Sequence, residues 1–249
     1  MQPSPKKQFL AAVAESARPY RPAWRVGASG LVRRFDSGYW GHVWFFDHVT
    51  ADPGPCYQAG LTAGVVSPYL LRTFNGRDPE RAPNRNFIAV HAWLTWDAPV
   101  VRFDPAAGHT STPAVPAFSA EARHDRRFTD PLVELGETNA SPWLAGVFGL
   151  LVPRLTEMAQ DESLLGWLSE EEPRSTAELR YAALLAHHLR MDDQVTVLLR
   201  RAAEVRGRED READARGVDL SYRSDRQTTY PQDWSPERFE RFLRAAPRD

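Results

Sequence analysis

The sequence predicts an α+β protein: an antiparallel sheet of four to six strands in the N-terminal half, packed with an N-terminal helix and a C-terminal set of four to five helices. Three observations carry that prediction. Between Leu31 and Asp104, β-branched and aromatic segments alternate with turn signals, and no helical period intervenes. The connections between these segments are short, which favours antiparallel pairing, because parallel strands need a long crossover. From Ser141 onwards the apolar residues recur at helical spacing instead.

Taken in order, Ser4-Pro5 is a helix start, with serine as cap and proline at the first helical position. The helix is expected to run to about Ala17, with Phe9, Leu10, Val13 and Ala17 as its apolar stripe. The stretch "VGASG", Val26 to Gly30, reads as a turn before a strand. The expected strands are "LVRRF", "YWGHVWFFDHV", "YQAGLTAGVVS", "YLLRTF" and "NFIAVHAWLTW", with "PVVRF", ending at Phe103, as a further one. Turn-rich "TADPGP" and "NGRDPERAPN" separate them. Residues 105–140 are mixed, with "PAAGHTSTPAVPAFS" reading as a surface loop.

Ser141-Pro142 repeats the serine-proline start, and Pro153 predicts a break near Val152. "DESLLGWLSEE" reads as a short helix. Two longer helices follow, joined by a tight turn near Met191. Their facing stripes are Leu179, Ala182, Ala186 and Leu189 against Val195, Leu198, Ala202 and Val205, an antiparallel helical hairpin. Ser235-Pro236 opens a last helix, whose Phe239, Phe242 and Leu243 must dock on the sheet or the hairpin. The halves divide at 1–139 and 140–249. Neither can cover its apolar surface alone, so they are expected to form one cooperative unit.

Composition narrows the function classes. The formal charge of -2 argues against generic nucleic-acid binding, which needs a net basic surface. Lys6 and Lys7 are the only lysines, and this arginine bias fits a GC-rich bacterial genome. The single cysteine, Cys56, has no internal disulfide partner and suits a reducing cytosol. The apolar run Phe9 to Ala14 is too short for a secretory signal, and no stretch approaches the ~18 apolar residues of a membrane span. A cytoplasmic protein without membrane contact is the expectation.

Side chains alternate along a strand, so His42, Trp44, Phe46 and His48 share one face. At ~3.3 Å per residue, His42 and His48 stand roughly 20 Å apart, which rules out a shared metal ion. "NFIAVHAWLTW" separates the same way, with Phe87, His91 and Trp93 on one face and Ile88, Val90 and Leu94 on the other. The simplest explanation is a sheet buried on both sides, with the N-terminal helix on one face and the C-terminal helices on the other. The alternative is a ligand groove. Gln58, Gly60, Thr62 and Gly64 make a face of little bulk, and small residues beside Trp44, His91 and Trp93 would form a concave site. Its candidate ligand-binding residues are His42, Trp44, Thr62, His91 and Trp93.

No nucleophile elbow, phosphate loop, dinucleotide fingerprint or zinc-protease motif is present, so no catalytic residue is assigned and no metal or cofactor is expected. His188 reads as a histidine at the edge of the hairpin core. Arginines cluster in two predicted loops, Arg77, Arg81 and Arg85 in one and Arg123, Arg126 and Arg127 in the other. Together they are candidates for contact with an anion or an acidic protein partner.

The opening helix "KKQFLAAVAESARPY", the basic strand "GLVRRF", "WGHVWFFDHV" and "QAGLTAGVVSP" together resemble an uncharacterised group of bacterial α+β domains of unknown function. "AGVVSP", Ala63 to Pro68, matches a strand pattern common in that group, and the hairpin resembles the helix pair that closes such chains. The resemblance covers about two-thirds of the chain and assigns no activity. It implies accessory or immunity-type factors as an analogy. The first reading is therefore a cytosolic protein-interaction module of that kind, and the second a small-molecule binder or enzyme using the aromatic face.

Overall fold

The computed structural model describes residues 3–47, 56–75, 78–80, 100–108, 111–115, 133–169, 175–217 and 234–248. The chain divides into two compact units, one comprising Met1–Val66 with Arg81–Ala159 and the other Ser67–Glu80 with Gln160–Asp249.

The first unit is built on a six-stranded sheet in sequential order: β1 (Arg25–Gly27), β2 (Gly30–Arg34), β3 (Trp40–Asp47), β4 (Tyr57–Val66), β5 (Val101–Phe103) and β6 (Val133–Leu135). The first four pairings are antiparallel, and β5–β6 is parallel. The α+β class is therefore present, with one parallel pair at the edge that short connections did not announce. "VGASG" is the turn from β1 to β2. Gly30 has φ +146°, and a Cβ there would overlap the Val43 carbonyl. Only glycine meets both conditions.

Helix α1 (Pro5–Ala17) starts as expected, with the Ser4 hydroxyl accepting from the Lys7 amide and Pro5 following. Helix α3 (Glu137–Glu157) departs from expectation at both prolines. It begins four residues before Ser141, where Asn139 Oδ1 accepts from the Gly136 amide at 2.8 Å and its Nδ2 donates to the Ser111 carbonyl at 2.8 Å. It also continues through Pro153 to Glu157, so the predicted break is absent.

These two helices lie on the same face of the sheet. Phe9 of α1 meets Phe45 edge-on at 5.4 Å and Phe103 at 5.6 Å, while Phe148 of α3 meets Phe45 at 6.3 Å. The odd-numbered side chains of β3, among them Val43 and Phe45, thus form the core with the helices. This corrects the expectation of opposite faces for the first of the C-terminal helices: α3 lies on the same face as α1.

The second unit is helical. It holds α2 (Pro68–Asn75), α4 (Asp161–Ser169), α5 (Thr176–His188), α6 (Asp192–Ala215) and α7 (Pro236–Ala245). The segment "YLLRTF", expected as a strand, lies in α2. The hairpin α5–α6 forms as predicted, its connection turning through Arg190 at φ 58°. Leu179, Ala182 and Ala186 are buried against a partner stripe of Val195, Leu198 and Ala202. Helix α5 is buried all the way round from Leu179 to His187, and so is the central helix of the unit rather than one side of a bilayered pair. Helix α7 docks on this hairpin, with the Arg180 guanidinium 5.0 Å above the Phe239 ring. No described helix is long and apolar enough to cross a membrane.

Candidate functional site

The face of the sheet turned away from α1 and α3 carries the candidate site. The register of the longest pair sets it: His42 stands opposite Gly64, Trp44 opposite Thr62, and Phe46 opposite Gly60. On the other side, Val32 stands opposite His42 and Gly30 opposite Trp44. Diagonal neighbours in such a pair lie roughly 7 Å apart, so His42 and Thr62 are within reach of one small molecule.

The glycines on β4 shape this surface. A Cβ at Gly60 would overlap the Phe46 ring, so glycine is what lets that ring lie down across the strand. Gly64 places no side chain opposite His42.

His42 is fully buried. Neither of its ring nitrogens meets strict hydrogen-bond geometry with a partner among the described residues, and the Thr62 hydroxyl is likewise buried without one. Burial pushes the His42 pKa down to about 3, and a hydrogen-bonding contact with the Gly64 backbone, short of strict geometry, offsets only part of that. The ring is therefore neutral above mildly acidic pH, with one donor and one acceptor nitrogen. The half-buried Trp44 ring sits 5.5 Å from it at a 54° tilt. Leaving such groups unpaired costs about 1–3 kcal/mol each, and native interiors hold few of them.

Of the predicted ligand-binding residues, the fold brings His42, Trp44 and Thr62 together. His91 and Trp93 lie outside the described residues. So do all six arginines proposed for anion or partner contact: Arg77, Arg81, Arg85, Arg123, Arg126 and Arg127.

Two arrangements went unread in the sequence. Arg102, opposite Gln58 on the same face, donates from Nε to Cys56 Sγ at 3.3 Å and approaches Glu134 at 3.6 Å. The Cys56 contact, ahead of the Glu134 and Asp104 charges, raises the Arg102 pKa. The pair is 46 residues apart in sequence, and only the β4–β5 register joins it. In the second unit, His188 stacks on Tyr69 at 4.0 Å and stands 3.5 Å from Asp161. Beside it, His187 contacts Arg248, which also bonds Asp192 at 2.6 Å. His188 thus sits at the edge of the core, as its position after Leu184 implied. Its neighbour His187 is the buried one, and burial first, then the nearby Arg248 charge, lower the His187 pKa despite the Ala246 carbonyl. Among the described residues, no three histidine, cysteine or acidic side chains are grouped to hold a metal ion.

No family model, curated protein or solved structure matches the chain. The geometry alone therefore bears on function.

Proposed function

We propose that this protein binds a small, uncharged, planar molecule on the His42–Trp44–Thr62 face of its sheet. One observation carries the reading: three polar atoms at neighbouring positions, His42 Nδ1, His42 Nε2 and Thr62 Oγ1, are buried with no partner in strict hydrogen-bond geometry among the described residues. A ligand presenting a donor and an acceptor on one edge, as a heteroaromatic amide or a nucleobase does, would satisfy the Thr62 hydroxyl and one His42 nitrogen while stacking on Trp44. A neutral His42 favours an uncharged ligand, because this ring then offers no cation for an anion to pair with. The same neutrality gives His42 no role as a proton donor near pH 7, so binding rather than acid catalysis is the reading.

The interaction-module reading, first from the sequence, comes second here, since the two arginine clusters that motivated it lie outside the described residues. The binding reading is tested by thermal unfolding in the presence of a panel of uncharged nucleobases and heteroaromatic amides. A member of the panel should raise the transition of the wild type and leave Thr62→Val unmoved. A panel that shifts neither protein, or shifts both alike, counts against it.

A further inference from the structure

In the second unit, the segment that follows α7 is fastened at three successive residues. The Ala246 carbonyl stands 3.4 Å from His187 Nε2, and the Pro247 carbonyl accepts from the Tyr69 hydroxyl at 3.2 Å. Arg248 reaches both His187 and, at 2.6 Å, Asp192 at the start of α6. His187 lies in the last turn of α5 and is buried. Arg248 Nη2 is 2.9 Å from its Nδ1, and Arg248 Nε is 3.2 Å from each ring nitrogen. A guanidinium carries only donors, so Nδ1 meets Nη2 with its lone pair. The Ala246 carbonyl only accepts, so Nε2 carries the proton. One neutral tautomer therefore serves both partners, and a second proton would have to sit on Nδ1, facing the guanidinium.

We infer that His187 is a proton-operated latch, which holds the segment Ala246–Arg248 when neutral and lets it go when protonated. Protonation removes the acceptor that Arg248 uses and sets two cations within hydrogen-bond distance of each other. The groups around the ring pull in both directions. Burial first, then Arg248 and His188, hold the folded pKa below 6.5, against the Ala246 carbonyl and the Asp192 carboxylate. His188 in turn stacks on Tyr69 of α2 and stands 3.5 Å from Asp161 of α4. The sign follows from linkage. A released His187 takes up a proton at the ordinary 6.5, whereas the latched ring refuses it until the pH is lower. The segment is thus fully held above pH 6.5, and below it the ratio of latched to released protein falls by up to about tenfold per pH unit. What opens is the end of α7, whose last turn runs directly into Ala246. The device is independent of the ligand face in the first unit.

The test is the backbone 15N heteronuclear NOE of Ala246 and Arg248 in the full chain at pH 7.5 and pH 5, with the amides of α5 as the control for global unfolding. In the wild type the two NOE values should be high at pH 7.5 and fall at pH 5 while those of α5 stay high. His187→Gln keeps a side-chain acceptor and donor but cannot titrate, so its values should stay high at both pH values. Arg248→Gln changes an exposed residue and keeps the histidine. It should raise the His187 ring pKa, read by NMR titration, towards 6.5. The inference is overturned if the wild-type values do not change with pH, if His187→Gln loosens at pH 5 like the wild type, or if Arg248→Gln leaves the His187 pKa where it was.

Discussion

At the scale of single residues, His42 makes the fold sensitive to acid. Its folded pKa is about 3 and its unfolded value 6.5. Between these, the unfolded chain takes up a proton that the folded protein refuses, so stability falls as pH falls through that window. The slope is up to ~1.4 kcal/mol per pH unit. His42→Leu removes the titrating group and its two unpaired nitrogens. Urea unfolding at pH 6 and pH 5 should show a shallower loss for this variant, by about 1 kcal/mol over that unit. The remaining slope there includes His187, whose pKa is lowered too. Gly60 makes a second residue-scale prediction. Gly60→Ala forces the Phe46 ring aside and should destabilise by about 1–3 kcal/mol, the range for overpacked sites, read as a lower urea midpoint. The strand alternation made the partnership of His42 and Trp44 legible in sequence. It did not reveal that Thr62 stands beside Trp44, because register depends on turn geometry and long-range pairing.

At the scale of elements, four serine-proline pairs show what local signals decide. Ser4-Pro5 and Ser235-Pro236 open helices, with the serine hydroxyl accepting from the amide three residues on. Ser67-Pro68 does the same for α2, where Ser67 Oγ accepts from the Leu70 amide at 3.4 Å, although the aromatic and apolar content of "YLLRTF" predicts a strand. The cap was legible and was outweighed. Ser141-Pro142 carries the same letters inside α3, because the β6 strand delivers the chain to a start at Glu137 that Asn139 caps. Ser141→Ala should therefore leave the urea midpoint nearly unchanged, while Ser235→Ala lowers stability by about 1 kcal/mol. The start of α5 is doubly held. Ser175 and Glu178 cap each other, and Glu209 of α6 accepts from the Thr176 amide and hydroxyl. The charged second half of α6 thus also anchors its hairpin partner.

At the scale of the whole molecule, neither unit is a continuous piece of chain. The second takes Ser67–Glu80 from between two parts of the first. Tyr69 in that insert stacks on His188 and donates to the Pro247 carbonyl at 3.2 Å. A fragment of residues 160–249 lacks these contacts and should show no cooperative thermal transition by circular dichroism. Adding a peptide of residues 67–80 should restore one if the insert completes that core. Composition and periodicity gave the fold class and the hairpin. They gave no sign of the inserted segment, because the exchange is written in contacts between residues more than a hundred positions apart.

The central claim is that His42 holds a neutral ring whose nitrogens are free to bond a ligand. The most direct measurement is the ring nitrogen NMR spectrum of His42 in protein labelled with 15N-histidine, recorded from pH 7 to pH 5 with and without the stabilising panel member. A neutral ring throughout, with both nitrogen signals displaced by the ligand, is the predicted result. A ring that protonates near pH 6, or one whose signals ignore a ligand that raises the unfolding temperature, would contradict it.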